Sequence, residues 1–208
     1  MVLLIFVVLV IKDSNKIQPT GEDAAFFDAF IQNDSDSSSV QEYDYSLYPL
    51  FVGDSRTVGL AEAIPGLDYH AKSGSTYYYL LELDSLIRNS GADCIIIGFG
   101  VNDLVDIDEY INYANKLGDE ISARVYFLTV NPVDETKESY NGYHIKNSRI
   151  DSFNERLTEE ARSYTVIDTN GFLKEVGYNT MDGLHYDENT YINIYDYVMD
   201  YLYKNMEY

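Results

Sequence analysis

The sequence predicts an α/β fold of three layers, in which helices cover both faces of a five-stranded parallel sheet. From Tyr48 onward, short apolar runs alternate with longer amphipathic stretches, which is typical of strands that alternate with helices. The run Cys94–Gly98 is nearly all isoleucine, which indicates a strand that is buried on both faces. These two observations predict that helices connect the strands and cover the two sides of the sheet.

Five strands and five helices are predicted in order along the chain. The predicted strands are Leu50–Val52, Leu67–His70, Cys94–Gly98, Arg124–Val130 and Thr165–Ile167. The predicted helices are Thr57–Ala63, Thr76–Asn89, Ile107–Ile121, Arg149–Ser163 and Glu188–Tyr203. Asn147 and Ser148 are predicted to cap the fourth helix. Sites in such folds lie at the carboxyl ends of the strands, where Ser55, Asn102 and Asn131 fall.

Three short blocks, far apart in the chain, contain the side chains that ester hydrolysis requires. Ser55 follows an apolar run, and Asp182 stands three residues before His185 in a loop that contains a glycine. A serine hydroxyl needs a neighbouring base to take its proton, and a histidine base needs a carboxylate to fix its tautomer. Asn102 follows another apolar run, and its side-chain amide can serve as a preset donor for a developing oxyanion.

Each of these residues also has a purely structural interpretation. Ser55 could cap a helix, Asn102 could stabilise a turn, and the Asp182–His185 segment could be an ordinary surface loop. Their joint occurrence favours the catalytic interpretation. Arg56 is expected to pair with one of the many acidic residues, with a position at the substrate mouth as the alternative.

Four blocks in order resemble the SGNH, or GDSL-type, hydrolase family. They are Phe51–Gly59, Ala71–Ser75, Gly100–Asp103 and Asp182–His185, and the resemblance covers about Tyr48 to the C-terminus. It implies a flavodoxin-like strand order, and residues 46–208 are accordingly interpreted as an SGNH hydrolase-like catalytic domain. Arg56 stands where the family's GDSL leucine would be, which argues against a lipase but leaves the chemistry intact.

The resemblance also assigns roles to individual residues. It implies a catalytic triad in which Ser55 is the nucleophile, His185 the base and Asp182 the residue that orients the base. Asp54 resembles the family's structural aspartate and is not assigned to the triad. It further implies an oxyanion hole formed by the backbone N–H groups of Ser55 and Gly74 and by the side-chain amide of Asn102. No G-x-S-x-G elbow occurs in the sequence, which argues against the α/β-hydrolase solution to the same chemistry.

The composition narrows the choice of ligand. The chain has 35 acidic and 14 basic residues, a net charge of −21, so nucleic acid and anionic membrane surfaces would repel it. A neutral ligand such as a glycan ester fits better. The only cysteine, Cys94, lies in an apolar run and is interpreted as a core side chain. Three scattered histidines argue against a catalytic zinc site, and no nucleotide-binding glycine loop is present, so no metal or cofactor is expected.

The first 45 residues differ from the rest of the chain. Val2–Ile11 is an unbroken apolar run, shorter than the roughly twenty residues of a membrane span. Residues 1–12 are interpreted as a signal or membrane-anchor segment, with a buried strand as the alternative. Residues 13–45, which include the polar stretch Asp34–Ser39, are interpreted as a flexible linker. This arrangement predicts export, with the catalytic domain at the cell surface or outside the cell.

The sequence thus predicts a serine esterase that hydrolyses small acyl esters, preferentially acetyl esters, on a carbohydrate. Three alternatives remain open. The same site could transfer an acetyl group to a cell-wall or extracellular glycan, or it could belong to a lipase or lysophospholipase. A non-catalytic glycan-binding module could also have kept the fold. The sequence makes no prediction about the oligomeric state.

Overall fold

A computed structural model describes residues 47–137 and 145–205 of the 208-residue chain. The signal or anchor segment predicted for residues 1–12 and the linker predicted for residues 13–45 lie outside these ranges. None of the helices within them is long and apolar enough to cross a membrane.

The described residues contain five strands that form one parallel sheet. The strands are β1 (Pro49–Gly53), β2 (Asp68–Ala71), β3 (Cys94–Gly98), β4 (Arg124–Leu128) and β5 (Thr165–Ile167). Their order in the sheet is β2-β1-β3-β4-β5, which confirms the predicted flavodoxin-like arrangement. Because β1 lies between β2 and β3, its last residue, Gly53, pairs with both Ala71 and Gly98. The loops that follow these three strands therefore meet at one edge of the sheet.

Seven α-helices and one 3-10 helix surround the sheet in the part of the chain that the structure describes. The α-helices are α1 (Ser55–Ala63), α2 (Tyr77–Glu82), α3 (Asp84–Asn89), α4 (Ile107–Glu120), α5 (Asn147–Glu159), α6 (Thr169–Val176) and α7 (Glu188–Asn205). The 3-10 helix spans Leu104–Asp106 and leads directly into α4.

Two hydrophobic cores lie on opposite faces of the sheet, which confirms the three-layer architecture. Side chains of a strand point alternately to the two faces. Accordingly, Ile95 and Ile97 of β3 pack in the core formed with α2, α3, α4 and α5. Cys94 and Ile96 pack in the core formed with α1, α6 and α7. Cys94 is fully buried there, as predicted for a core side chain.

The structure corrects the helix prediction for residues 76–89. This segment forms two helices, α2 and α3, rather than one. At Leu83, which lies between them, the backbone N–H is shared between the carbonyls of Tyr79 and Leu80 at 3.1 and 3.2 Å. Sharing a donor in this way tightens the turn. No glycine or proline marks the position, so the sequence contains no signal for the break.

The structure also corrects the cap predicted for the fourth helix and contains one helix that the sequence analysis did not predict. Asn147 does not cap α5 but is its first residue, and its side-chain amide binds the backbone N–H and carbonyl of Val133 at 2.9 and 2.8 Å. The sequence reasoning also missed α6 entirely. This short helix contains Gly171, a poor helix former. A side chain there would lie 2.3 Å from the carboxylate of Asp168, which caps α6 by accepting the N–H of Gly171.

Candidate active site

Ser55 is the first residue of α1, in a tight turn that follows β1. Asp54 caps α1, because its carboxylate accepts the backbone N–H of Arg56 at 2.9 Å. Gly53 leaves no room for a side chain, since a Cβ atom there would lie 1.9 Å from the hydroxyl of Thr57 and 2.6 Å from the carbonyl of Gly98. The turn therefore brings the start of α1 close to the end of β3, and Ser55 is 8% exposed.

The three residues predicted to form a triad lie in direct contact. The Nε2 atom of His185 is 2.9 Å from the hydroxyl oxygen of Ser55, and its Nδ1 atom is 2.7 Å from Oδ2 of Asp182. The other carboxylate oxygen of Asp182 accepts the backbone N–H groups of His185 and Leu184, at 2.7 and 2.9 Å. These two bonds fold the loop before α7 so that the ring of His185 points from Asp182 towards Ser55.

The environment of Asp182 favours its ionised form. Burial acts to raise its pKa, but hydrogen bonds from the backbone and ring of His185 and from the backbone of Leu184 outweigh burial, and the pKa falls to about 2. Asp182 is therefore a carboxylate at any pH near neutrality. An ionised acceptor at Nδ1 favours the tautomer of His185 that carries its proton there, which leaves Nε2 able to accept the proton of Ser55.

The environment of Asp54, which directly precedes the serine, disfavours its ionised form, in contrast to that of Asp182. It is 2% exposed, and burial raises its pKa to about 6, against the lowering influence of Arg56 and His185. Its carboxylate accepts the N–H of Arg56 rather than contacting the ring of His185. This cap agrees with the structural role predicted for Asp54.

The predicted oxyanion donors lie on loops that are tied to the end of β1. Gly74 has a φ of +70°, a left-handed conformation that favours glycine, and it lies in the loop after β2. The next residue, Ser75, donates its hydroxyl to the carbonyl of Gly53 at 3.3 Å. Its carbonyl in turn accepts the side-chain amide of Asn102 at 2.8 Å. These two bonds bring the Gly74 loop and Asn102 to the same edge of the sheet as Ser55.

Asp103 stabilises the loop that presents Asn102. It is buried, and its carboxylate accepts the backbone N–H of Tyr77 at 2.7 Å and the hydroxyl of Tyr110 at 2.8 Å. Burial raises the pKa of Asp103, and these two hydrogen bonds oppose the rise. The loop after β3 is thereby anchored to both α2 and α4.

A cleft of about 480 Å³ opens beside Ser55 and His185. Its walls include Met181 and residues of α1 and α7. The lining contains two carboxylates, those of Glu62 and Glu188, and no lysine or arginine. Both glutamates are exposed, and in the described part of the chain neither forms an ion pair. The cleft is therefore electronegative.

The expectation for Arg56 was wrong in both of its forms. Its guanidinium pairs with no carboxylate of the described residues and does not line the cleft. It donates instead to the backbone carbonyls of Leu184, Asn131 and Pro132, at 3.1, 2.7 and 3.2 Å. Sequence reasoning missed these bonds because any residue type supplies a carbonyl. The three carbonyls are also 75 to 128 positions away from Arg56 along the chain, so no local motif indicates these bonds.

The described residues contain no group of three or more His, Cys, Asp or Glu side chains that could hold a metal ion.

Comparisons with known proteins bear on the fold. No protein-family model matches the sequence, and no curated protein matches it. Several solved structures are similar to the described domain. A GDSL-like lipase from Bacteroides thetaiotaomicron matches with a TM-score of 0.61 at 20% identity, over 75% of this chain and 87% of that one. The catalytic domain of peptidoglycan O-acetyltransferase A from Streptococcus pneumoniae gives 0.55 at 20%, over 76% and 93%.

The third structure is an acetylxylan esterase from Geobacillus stearothermophilus, with a TM-score of 0.52 at 17% identity, over 76% of this chain and 94% of that one. The described domain thus has the fold of the SGNH, or GDSL-type, hydrolases, as the sequence motifs predicted. At these identities the comparisons establish the fold, and the chemistry is argued from the site itself.

Proposed function

We propose that this protein is a serine ester hydrolase that works through an acyl-enzyme. Ser55 attacks the acyl carbonyl, while His185 takes its proton and later gives it to the departing alcohol. Asp182 orients His185 and stabilises the imidazolium. The observation that supports this most strongly is the pair of contacts made by the ring of His185, 2.9 Å to Ser55 and 2.7 Å to Asp182.

In this proposal three donors stabilise the oxyanion of the tetrahedral intermediate. They are the backbone N–H groups of Ser55 and Gly74 and the side-chain amide of Asn102. The first lies at the N-terminus of α1, where the helix dipole favours negative charge. The bond between Asn102 and Ser75 supports the other two, because it holds the amide beside the Gly74 loop. Water then attacks the acyl-enzyme with His185 as base, and no cofactor takes part.

The proposed substrate is a small acyl ester, preferentially an acetyl ester, on a carbohydrate. The carboxylates of Glu62 and Glu188 and the net charge of −21 disfavour an anionic lipid. An acetylxylan esterase shares the fold, which is compatible with this substrate class. The apolar segment of residues 1–12 and the polar residues 13–45 support export, with the domain held at the cell surface or released outside the cell.

A second candidate function is O-acetyl transfer to a cell-wall or extracellular glycan. The fold of the peptidoglycan O-acetyltransferase domain is compatible with it, as the fold of the GDSL-like lipase is with a lipase, so the remaining alternatives are weighed on the site itself. A lipase would require a broad apolar mouth, whereas two carboxylates line this cleft. A non-catalytic glycan-binding module would not need Ser55, His185 and Asp182 in mutual contact.

Acetate release from acetylated glycans, combined with turnover of p-nitrophenyl esters of increasing chain length, tests the proposal. We expect acetyl esters to be cleaved faster than octanoyl esters, and free acetate to appear from acetylated xylan in water alone. Faster cleavage of octanoyl esters would favour the lipase alternative. Acetyl groups that appear only on an added glycan acceptor, with no release into water, would establish the transferase instead. Recovery of the native protein in the cytosolic fraction would contradict export.

A further inference from the structure

Arg56 is a buried cation whose hydrogen-bond partners are all uncharged. Its side chain is 8% exposed, and its guanidinium donates to three backbone carbonyls while lying over the ring of Tyr186, 5.2 Å from the ring centre. Among residues 47–137 and 145–205, no carboxylate forms a salt bridge with it. Burial of a charged side chain without a salt bridge is costly, so the hydrogen bonds of Arg56 are expected to serve a specific role.

The three carbonyls belong to two loops that meet beside the candidate active site. Leu184 directly precedes His185, whereas Asn131 and Pro132 follow β4. The two loops also bind each other, because the N–H of Asp134 donates to the carbonyl of Gly183 at 2.9 Å and the hydroxyl of Tyr186 donates to the carbonyl of Pro132. Arg56 thus joins both loops to the first turn of α1.

We propose that Arg56 is a positioning residue that holds His185 against Ser55. This inference rests on the proposed function of that pair. Arg56 follows Ser55 in the same helical turn, and its Nε donates to the residue before His185, so one side chain links the backbones on the two sides of the Ser55–His185 contact. The planar guanidinium suits this task because it offers several donors in a fixed geometry, which a lysine cannot reproduce.

Removing the guanidinium leaves the carbonyls of Leu184 and Asn131 without this donor, whereas the carbonyl of Pro132 keeps the hydroxyl of Tyr186. The His185 loop must shift to satisfy the carbonyl of Leu184. A displacement of about 1 Å at a reacting group can lower the rate about a hundredfold. The effect is expected in kcat rather than in KM, because Arg56 does not line the cleft that opens beside Ser55 and His185.

The test compares the full-length protein with Arg56→Leu, Arg56→Lys and the control variant Arg88→Lys. Arg88 binds Asp84 and Glu120 through its guanidinium and lies outside the cleft lining. We expect kcat per folded molecule to fall about a hundredfold in Arg56→Leu and about tenfold in Arg56→Lys, with KM nearly unchanged. Arg88→Lys is expected to behave as wild type. Should Arg56→Leu not fold, Arg56→Lys decides, and an unchanged kcat there overturns the proposal.

A double-mutant cycle with His185→Ala separates positioning from a general effect on the fold. If Arg56 acts through His185, Arg56→Lys causes no further loss of the residual activity in the His185→Ala background. An equal loss in both backgrounds would overturn the proposal. The variant Ser55→Ala shows whether a negative result contradicts the proposed function or only the positioning role of Arg56. If it stays active, the proposed function itself is wrong; if it is inactive while the Arg56 variants match wild type, only the positioning role is wrong.

Discussion

The side-chain amide of Asn102 donates a hydrogen bond of 2.8 Å to the backbone carbonyl of Ser75, the residue that follows Gly74. This bond fixes the plane of the amide and uses one of its two hydrogens. Residues 47–137 and 145–205 contain no partner for the second hydrogen. Asn102 therefore has a donor in a fixed orientation beside the Gly74 loop, as an oxyanion hole requires.

Replacement of Asn102 by alanine tests that role. We expect Asn102→Ala to lower kcat about a hundred- to a thousandfold, the usual effect of losing one oxyanion donor, with a smaller change in KM. Steady-state kinetics with p-nitrophenyl acetate measure it. Asn89→Ala is the matched control, because Asn89 is an exposed asparagine whose amide also donates to a backbone carbonyl, that of Ser85. If both variants turn over like wild type, Asn102 has no part in the oxyanion hole.

Asp182→Asn is expected to lower kcat more than a thousandfold. An asparagine amide at this position can donate to Nδ1 and so favours the wrong tautomer of His185. The chain offers a matched control in Asp68→Asn, since Asp68 also lies near a histidine, with 3.4 Å between its carboxylate and Nε2 of His70. That variant, like His70→Ala, is expected to keep wild-type kcat. Comparable losses at both aspartates would mean that the effect is not specific to the proposed triad.

The buried carboxyl group of Asp54 predicts a pH-dependent contribution to stability. Burial raises its pKa in the folded protein from 3.8 to about 6. Between these values the folded state holds a proton that the unfolded chain has released, so the free energy of unfolding falls as the pH rises from about 4 to about 6. Relative to Asp54→Asn, which cannot ionise, wild type is expected to lose on the order of 3 kcal/mol over this range.

Urea unfolding of wild type and Asp54→Asn between pH 4 and pH 8 measures this difference. Above about pH 6 the difference in unfolding free energy is expected to stay constant, because Asp54 is then ionised in both states. A difference that does not vary with pH across the whole range would show that burial does not control the ionisation of Asp54.

The electronegative cleft predicts selectivity against anionic esters. We expect kcat/KM for an aryl monosuccinate, whose acyl group ends in a carboxylate, to be lower than for the matching neutral butanoate. Added salt and the change Glu62→Gln are each expected to narrow the gap, because both weaken the repulsion. Glu175→Gln serves as the control, since Glu175 is an exposed residue of α6 outside the cleft lining. A succinate ester that is preferred over the neutral one would contradict this account of the cleft.

The sheet could be predicted from the sequence because most of its strands are apolar runs between polar segments, although β2 contains Asp68 and His70. For β3 and β5 the predicted bounds match those of the structure, since the hydrophobic pattern ends where the strand ends. The helices were less predictable. The break at Leu83 has no glycine or proline to mark it, and α6 contains Gly171, whose presence is explained only by its contact with Asp168.

In the candidate site, contacts between residues close in sequence could be predicted, whereas contacts between distant segments could not. Asp182 and His185 are three positions apart, so their pairing could be predicted from a short motif. The bonds of Arg56 could not, because its partners are carbonyls on two loops that only the tertiary fold brings together. The electronegative character of the cleft is likewise a tertiary property, since Glu62 and Glu188 belong to different helices.

Covalent labelling with a serine-directed phosphonate, followed by peptide mapping, tests the central claim most directly. The account predicts a single adduct, located on Ser55, that is absent from Ser55→Ala and forms far more slowly in His185→Ala, because the hydroxyl then lacks its base. Circular dichroism establishes that both variants remain folded. An adduct on any other residue, or full esterase activity in a folded Ser55→Ala variant, would contradict the account.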